Sequence, residues 1–242
     1  MRAAASALVM MVMAQGAVAA EDISAQVAER VRQLDSRLQV ESVAEAPLKG
    51  LYEVVLESGE VLYTDVSGEY ILSGKLYRNQ PGQGLVNLTE QRLQQTRADL
   101  LAQVPAEERV IFPAQGETRA RLQVFTDVDC VYCRRLHSEV KTLNQMGVQV
   151  EYLAFPRGGA GSATAASMDA IWCAKGEQRR QLMDSAKAGG QPAPADCDSP
   201  VLEQYALGQR LGVTGTPALV LEDGRLIPGY LPAERLGEML GL

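Results

Sequence analysis

The run Phe125-Thr126-Asp127-Val128-Asp129-Cys130-Val131-Tyr132-Cys133-Arg134-Arg135-Leu136-His137 sets two thiols one helical turn apart, between segments of different periodicity. Ahead of it, Leu122, Val124 and Phe125 make a short apolar β-type run. Behind it, Leu136, Val140, Leu143 and Met146 recur at helical spacing. The pair therefore sits where a strand passes into a helix. The first N–H groups of a helix lack intrahelical partners and form the positive end of its dipole, so a sulfur placed there is stabilised as thiolate. Cys130 holds that place. A thiol of pKa about 8.5 is only a few per cent ionised at neutral pH, whereas one lowered to about 7 is roughly half ionised. Cys133, one turn on, should be more covered and less ionised. This spacing predicts Cys130 as nucleophile and Cys133 as the thiol that expels a mixed disulfide from its neighbour.

A zinc site is the competing use of such a pair. It would draw two more ligands from Cys173, Cys197 and the only histidine, His137, yet 23 residues separate the other two cysteines and no second close pair exists. Zinc modules usually bring their ligands in two close pairs, so redox chemistry without metal or cofactor is the better reading.

The 242 residues suffice for one large or two modest domains, and a hydrophobic content of 46% with 22% charged residues is ordinary for a globular chain. The net charge of −7 and the lack of any Lys/Arg-rich run argue against nucleic acid or an anionic membrane surface as partner. Residues 1–20 differ from the rest: Arg2, an uncharged apolar run from Ala3 to Ala14, then small residues through Ala17-Val18-Ala19-Ala20. This is the pattern of a secretory signal peptide cleaved near Ala19 or Ala20, too short for a stable membrane anchor. Export leads to a compartment that tolerates disulfides, where four cysteines divide naturally into two pairs.

From Asp22, the residues Ile23, Val27, Val31, Leu34 and Leu38 fall at helical spacing. Apolar or alternating runs follow at Leu51 to Leu56, Val61 to Val66 and Tyr70 to Leu72, with a fourth at Lys75 to Tyr77. They are separated by Ser58-Gly59, Ser67-Gly68 and Ser73-Gly74, which predicts an antiparallel meander. One helix and a meander make a marginal core that gains from pairing with a second copy. The turn-rich Asn79 to Gly84 ends this domain, taken as residues 21–82. A connector helix follows over 83–105, with Asn87 as N-cap and Glu90 three residues on. The remainder, 106–242, reads as strand, helix, strand, a helical insertion from Ser162 to Lys187 and Val201 to Leu211, then a hairpin around Asp223-Gly224 and a last helix opened by Pro232. That is a thioredoxin-like α/β order, preceded by an α+β domain.

Several separate motifs agree in order and spacing: Cys130-Val131-Tyr132-Cys133, Ala154-Phe155-Pro156-Arg157, Ile171-Trp172-Cys173-Ala174-Lys175, Tyr205-Ala206-Leu207-Gly208 and Gly215-Thr216-Pro217-Ala218. Together they make the chain closely resemble the DsbC/DsbG family of periplasmic disulfide isomerases over essentially its whole length. The resemblance implies a homodimer joined through its N-terminal domains, with active sites facing a shared cleft. It also implies a membrane reductase, DsbD, as electron donor and misfolded disulfide-containing exported proteins as substrates. By the same resemblance, Cys130 is the attacking thiol and Cys133 its partner. Thr216-Pro217 is a substrate-facing loop with a cis bond, and Cys173 and Cys197 form a second, structural disulfide.

The chain departs from the family pattern at Val131, where glycine is common, and at Asp129, where an uncharged residue is. Asp127 and Asp129 oppose thiolate formation while Arg134 and Arg135 favour it, and the sequence leaves that balance open. His137 lies on the same helical face as Cys133, though a solvated or packed histidine is a plainer reading than a proton carrier. Besides isomerisation with chaperone activity, the same residues would suit a dithiol oxidase, or a DsbG-like holdase or thiol reductase.

Overall fold

The computed structural model describes residues 23–195 and 197–242, and the leader expected over residues 1–20 lies outside them. The chain forms two compact units that divide between Thr89 and Glu90.

In the first unit, helix α1 (23–34) lays Ile23, Val27 and Val31 on a four-stranded antiparallel sheet. The strands are β1 (Val40–Glu45), β2 (Leu51–Leu56), β3 (Val61–Asp65) and β4 (Ile71–Ser73), in that spatial order. Val40, Val54, Leu56 and Leu62 complete this core. Leu34, expected on the apolar stripe, is 55% exposed at the end of α1. The meander has an additional first strand, and its outer strand β4 carries exposed Ile71 and Leu72, with exposed Tyr70 just before it. The turn at residues 81–83, expected to separate domains, is instead the tip of a hairpin between β5 (Tyr77–Gln80) and β6 (Gly84–Asn87). Thr89 Oγ1 ties that hairpin down: it accepts from Leu76 N at 2.8 Å and shares a 2.6 Å hydrogen bond with Tyr63 Oη.

Helix α2 (Leu88–Ala102) leads into the second unit. Its polar sequence suggested a connector, but its later turns are built into that unit. Leu101 is buried with Phe125 and Leu153, and Arg97 donates to the carbonyls of Leu211 (2.9 Å) and Gly224 (3.4 Å). Gly224 needs its positive φ of 80° for the turn, and a side chain there would collide with the Gln94 carbonyl.

The second sheet comprises β7 (Val110–Phe112), β8 (Ala120–Thr126), β9 (Val148–Ala154), β10 (Ala218–Val220) and β11 (Leu226–Pro228). Their order is β11-β10-β8-β9-β7, with β8 and β9 parallel and the other neighbours antiparallel. Strand alternation divides the core between the two faces. Leu122 and Val124 of β8, with Val148, Val150, Tyr152 and Ala154 of β9, enter the larger cluster, whereas Phe125 and Leu153 enter the smaller one beside Leu101. Each fully buried Val, Leu or Phe among them stabilises by about 1.5–3 kcal/mol.

Helices α3 (Val131–Ser138), α4 (Val140–Gln145), α5 (Ala163–Cys173), α6 (Gly176–Lys187), α7 (Val201–Arg210) and α8 (Ala233–Met239) surround the sheet. The single helix expected after the cysteines is broken at Glu139, whose carboxylate accepts from Tyr230 Oη and from Ala233 N at the head of α8. The run from Ser162 to Lys187 is likewise two helices, parted at Ala174-Lys175, where Gly176 takes a φ of 55°.

Cys173 and Cys197 are joined in a disulfide across 24 positions of sequence. Closing a loop of that size removes about 3–4 kcal/mol of unfolded-state entropy in the chain-entropy model. The Cys173→Ala/Cys197→Ala protein is therefore expected to lose stability on that scale in urea unfolding. Peptide mapping of the unreduced protein should find this link while Cys130 and Cys133 are free.

Candidate active site

Cys130 is the N-cap of α3, with φ −77° and ψ 121°, so the chain turns from extended to helical at the sulfur-bearing residue. Both thiols are unpaired, with Cys130 nearly covered and Cys133 fully buried. The Thr216–Pro217 peptide bond is cis. As a thiol, Cys130 Sγ donates to the Thr216 carbonyl at 3.2 Å, which brings the loop before β10 onto the head of α3. The Thr216 hydroxyl is buried with no hydrogen-bond partner among the described residues, leaving it free to serve an ionised sulfur. Val131 and Tyr132 stand exposed beside the pair.

Burial works against ionisation of Cys130. It is outweighed by the facing Thr216 side chain, by the backbone and thiol of Cys133 and by the charge of Arg157, so the pKa falls below the ordinary thiol value. At Cys133 burial wins and the pKa is raised, although the Lys187 charge, the Asp127 backbone and the hydroxyls of Thr126 and Thr216 pull it down. The two sulfurs are thus pushed in opposite directions, the condition for one to attack while its neighbour waits.

The charged neighbours differ from those the sequence suggested. Arg134 donates to Asp129 at 3.2 Å and to the Val128 carbonyl at 3.0 Å. The other Asp129 oxygen accepts from Thr164 Oγ1 at 2.7 Å, so these two modulators largely satisfy each other at the surface. Asp127 is turned inward and accepts from Arg157 N (2.9 Å), Arg157 Nε (3.1 Å) and Asp129 N (2.7 Å). Arg157, in the loop after β9, is a cation that favours the ionised form of Cys130. Neutralising it as Arg157→Gln should raise the Cys130 pKa, both by removing that charge and by leaving the buried Asp127 carboxylate uncompensated. The alkylation rate of Cys130 against pH measures this. The native midpoint should lie below the ordinary thiol value and the variant's above the native one.

Both ring nitrogens of His137 are engaged by Tyr152 and Asp184. Burial and the Lys187 charge lower its pKa against the pull of Asp184. Tyr152, whose phenol burial keeps protonated, donates to Nδ1 at 2.9 Å, so Nε2–H donates to Asp184 Oδ1 at 2.9 Å. This is a packed, neutral histidine that braces α3 against β9 and α6. Cys173 and Cys197 are bonded to each other, so neither can complete a zinc site at Cys130 and Cys133. Arg157, Thr126 and Lys187 were not singled out from sequence. Arg157 and Thr126 stood in quoted stretches without a role, and nothing local marks Lys187.

A pair of free thiols at the head of a helix, the Thr216–Pro217 loop against it and a central parallel β8–β9 pair are the arrangement of a thioredoxin-like thiol–disulfide oxidoreductase. The family comparisons say more. Residues 107–241 match the thioredoxin-like domain model, and residues 14–90 match the N-terminal domain of disulfide bond isomerase proteins. The chain is 41% identical to the thiol:disulfide interchange protein DsbC of Escherichia coli K12 over 197 residues, 81% of this chain and 78% of that one. It is 37% identical to the DsbC of Dickeya dadantii over 87% of this chain and 85% of that one. A crystal structure of a disulfide interchange protein from Neisseria gonorrhoeae superimposes with a TM-score of 0.50 at 29% identity, over 57% of this chain and 96% of that one. The chain belongs to the DsbC family of thiol:disulfide interchange enzymes.

Proposed function

We propose that this chain is a periplasmic protein disulfide isomerase in which Cys130 attacks a non-native disulfide and Cys133 closes the cycle. The observation that carries the assignment is the split between the two sulfurs, with Cys130 eased toward thiolate under Thr216 and Cys133 held back by burial. Attack by Cys130 gives a mixed disulfide and frees one substrate thiol. That thiol either attacks a different substrate sulfur, which completes isomerisation, or Cys133 attacks Cys130 and the substrate leaves reduced. A pair that ends oxidised needs an electron donor, the part the membrane reductase DsbD would play.

Homodimerisation through the first unit is supported by its family match and by strand β4. This strand ends the sheet with one backbone edge unpaired by any described strand and Ile71 and Leu72 exposed, and exposed Tyr70 precedes it. A chaperone action on unfolded exported chains would draw on the same dimer. Among the described residues no helix is long and apolar enough to cross a membrane. The test is recovery of a scrambled multi-disulfide protein by the reduced enzyme. An enzyme that only introduces disulfides into reduced substrate would be an oxidase, and one that only prevents aggregation a holdase.

A further inference from the structure

Lys187 closes α6 beneath the cysteine pair and is 5% exposed. Burying an ammonium group is costly unless a charge compensates it. Here, among the described residues, no carboxylate pairs with it: Asp127 is occupied by Arg157 and Asp184 by His137. Its Nζ instead donates to Thr126 Oγ1 at 2.6 Å and to the Asp127 carbonyl at 2.9 Å, and lies 5.7 Å from the Tyr152 ring centroid. Thr126, the last residue of β8, turns the same hydroxyl toward Cys133 and favours its ionised form. Cys133, Cys130, Arg134 and His137 face Lys187 from α3 and its cap, Asp127 from the loop after β8, Tyr152 from β9 and, through His137, Asp184 from α6 itself. Burial lowers the Lys187 pKa to about 8, against the upward pull of Cys133, Asp127 and Cys130. About a tenth of the molecules then hold a neutral amine at pH 7.

We propose that Lys187 and Thr126 form a proton relay that ionises Cys133 for release of the mixed disulfide, so that Lys187 is a positioning residue controlling how long a substrate stays attached. This rests on the assignment of Cys130 as attacking and Cys133 as resolving thiol. In the mixed disulfide, Thr126 Oγ1 accepts the Cys133 proton as its own hydroxyl proton passes to the neutral Lys187 amine. The Cys133 thiolate attacks Cys130 Sγ, the Cys130–Cys133 bond forms, and the bond from Cys130 to the substrate sulfur breaks. The substrate sulfur leaves with that electron pair and takes a proton from water. The pair is oxidised by two electrons and the substrate disulfide reduced by the same two. The resulting ammonium donating to Thr126 Oγ1 is the arrangement observed, and it returns its proton to solvent before the next release. Isomerisation competes with this release, so a faster relay favours reduction and a slower one favours reshuffling.

The experiment follows the adduct formed when the reduced full-length protein meets glutathione disulfide, quenched with acid and measured by mass spectrometry at several pH values. In Lys187→Met, decay of the Cys130–glutathione adduct should slow on the order of tenfold, the change in thiolate fraction that one pKa unit makes. The pH profile of that decay should move upward, with formation of the adduct slowed less than its decay. Thr126→Val should reproduce this and Thr126→Ser should restore the native profile, which a packing role would not require. Unchanged decay and pH profile in both Lys187→Met and Thr126→Val would overturn the relay. The wild-type protein supplies a reading independent of how the variants fold. The Lys187 13Cε resonance should titrate with a different midpoint when Cys130 and Cys133 are reduced than when they are joined, and equal midpoints would overturn the coupling. Cys133→Ser separates the two levels of argument. If its adduct does not accumulate, the assignment of the resolving thiol fails, and if it accumulates while Lys187→Met behaves as native, only the relay fails.

Discussion

Cys130→Ser is expected to leave a scrambled multi-disulfide substrate at the rate of buffer alone, while Cys133→Ser still attacks and then remains bound to it. The asymmetry follows from the separate environments of the two sulfurs. Cys130 has the head of α3, the Thr216 loop and the Arg157 charge, and is eased toward the thiolate that makes the attack. A serine hydroxyl in the same place is a far poorer nucleophile toward sulfur. The loss should reach at least about three orders of magnitude, the scale on which removing a nucleophile acts. Cys133→Ser takes away only the release step, because Cys133 is buried and its pKa raised. The mixed disulfide should then accumulate and show as a mass increase on a peptide containing Cys130. Recovery of scrambled substrate by Cys130→Ser at the native rate would mean that the thiols are incidental and that the protein acts as a holdase.

The placement of the cysteine pair was legible in sequence because it is local. A cysteine pair at a strand-to-helix junction carries its own argument, since the helix head and the one-turn spacing are properties of adjacent residues. The tuning groups were not legible, because they converge from separate elements: Thr126 ends β8, Arg157 sits after β9 and Lys187 ends α6. Charges adjacent in sequence could not be weighed for the same reason. Asp129 and Arg134 pair at the surface, whereas Asp127, two residues from Asp129, points inward to Arg157.

The fold shows the same division. Strand β8 was readable from its apolar run, whereas β1, with Glu41 and Ser42 beside Val40 and a bulge in its pairing with β2, hides its alternation. Residues 77–79 of the β5–β6 hairpin are exposed, so it offers no apolar stripe to detect. The break at Glu139 has no Gly or Pro beside it, whereas that at Ala174-Lys175 is marked only by Gly176. The first answers to a partner 94 residues away in the chain, which periodicity cannot register.

A protein shortened to begin at Asn87 is expected to reduce small disulfides at nearly the native rate but to recover scrambled substrate at least about tenfold more slowly. Where the chain is cut matters. A start near Ala106, at the domain boundary read from sequence, would remove α2 and with it Leu101, which is 1% exposed in the core beside Phe125 and Leu153. Losing a buried leucine costs about 2–5 kcal/mol, so such a protein would fail through instability and not through lack of a partner. Beginning at Asn87 keeps α2 and the Arg97 bonds to Leu211 and Gly224. It retains every group that tunes Cys130 and Cys133 but lacks the sheet ending in β4. Attack on a small disulfide asks for nothing more. Isomerisation also asks that the substrate stay near while its freed thiol finds a new partner, and two catalytic units joined in a dimer raise that local concentration without changing either site. Leu72→Arg in the full-length chain checks the same idea without shortening it, since a charge at the exposed edge of β4 should oppose strand pairing between copies. Sedimentation should show both variants as monomers. Recovery of scrambled substrate at the native rate by either monomer would show that one site suffices and that the first unit serves some purpose other than dimer-dependent reshuffling.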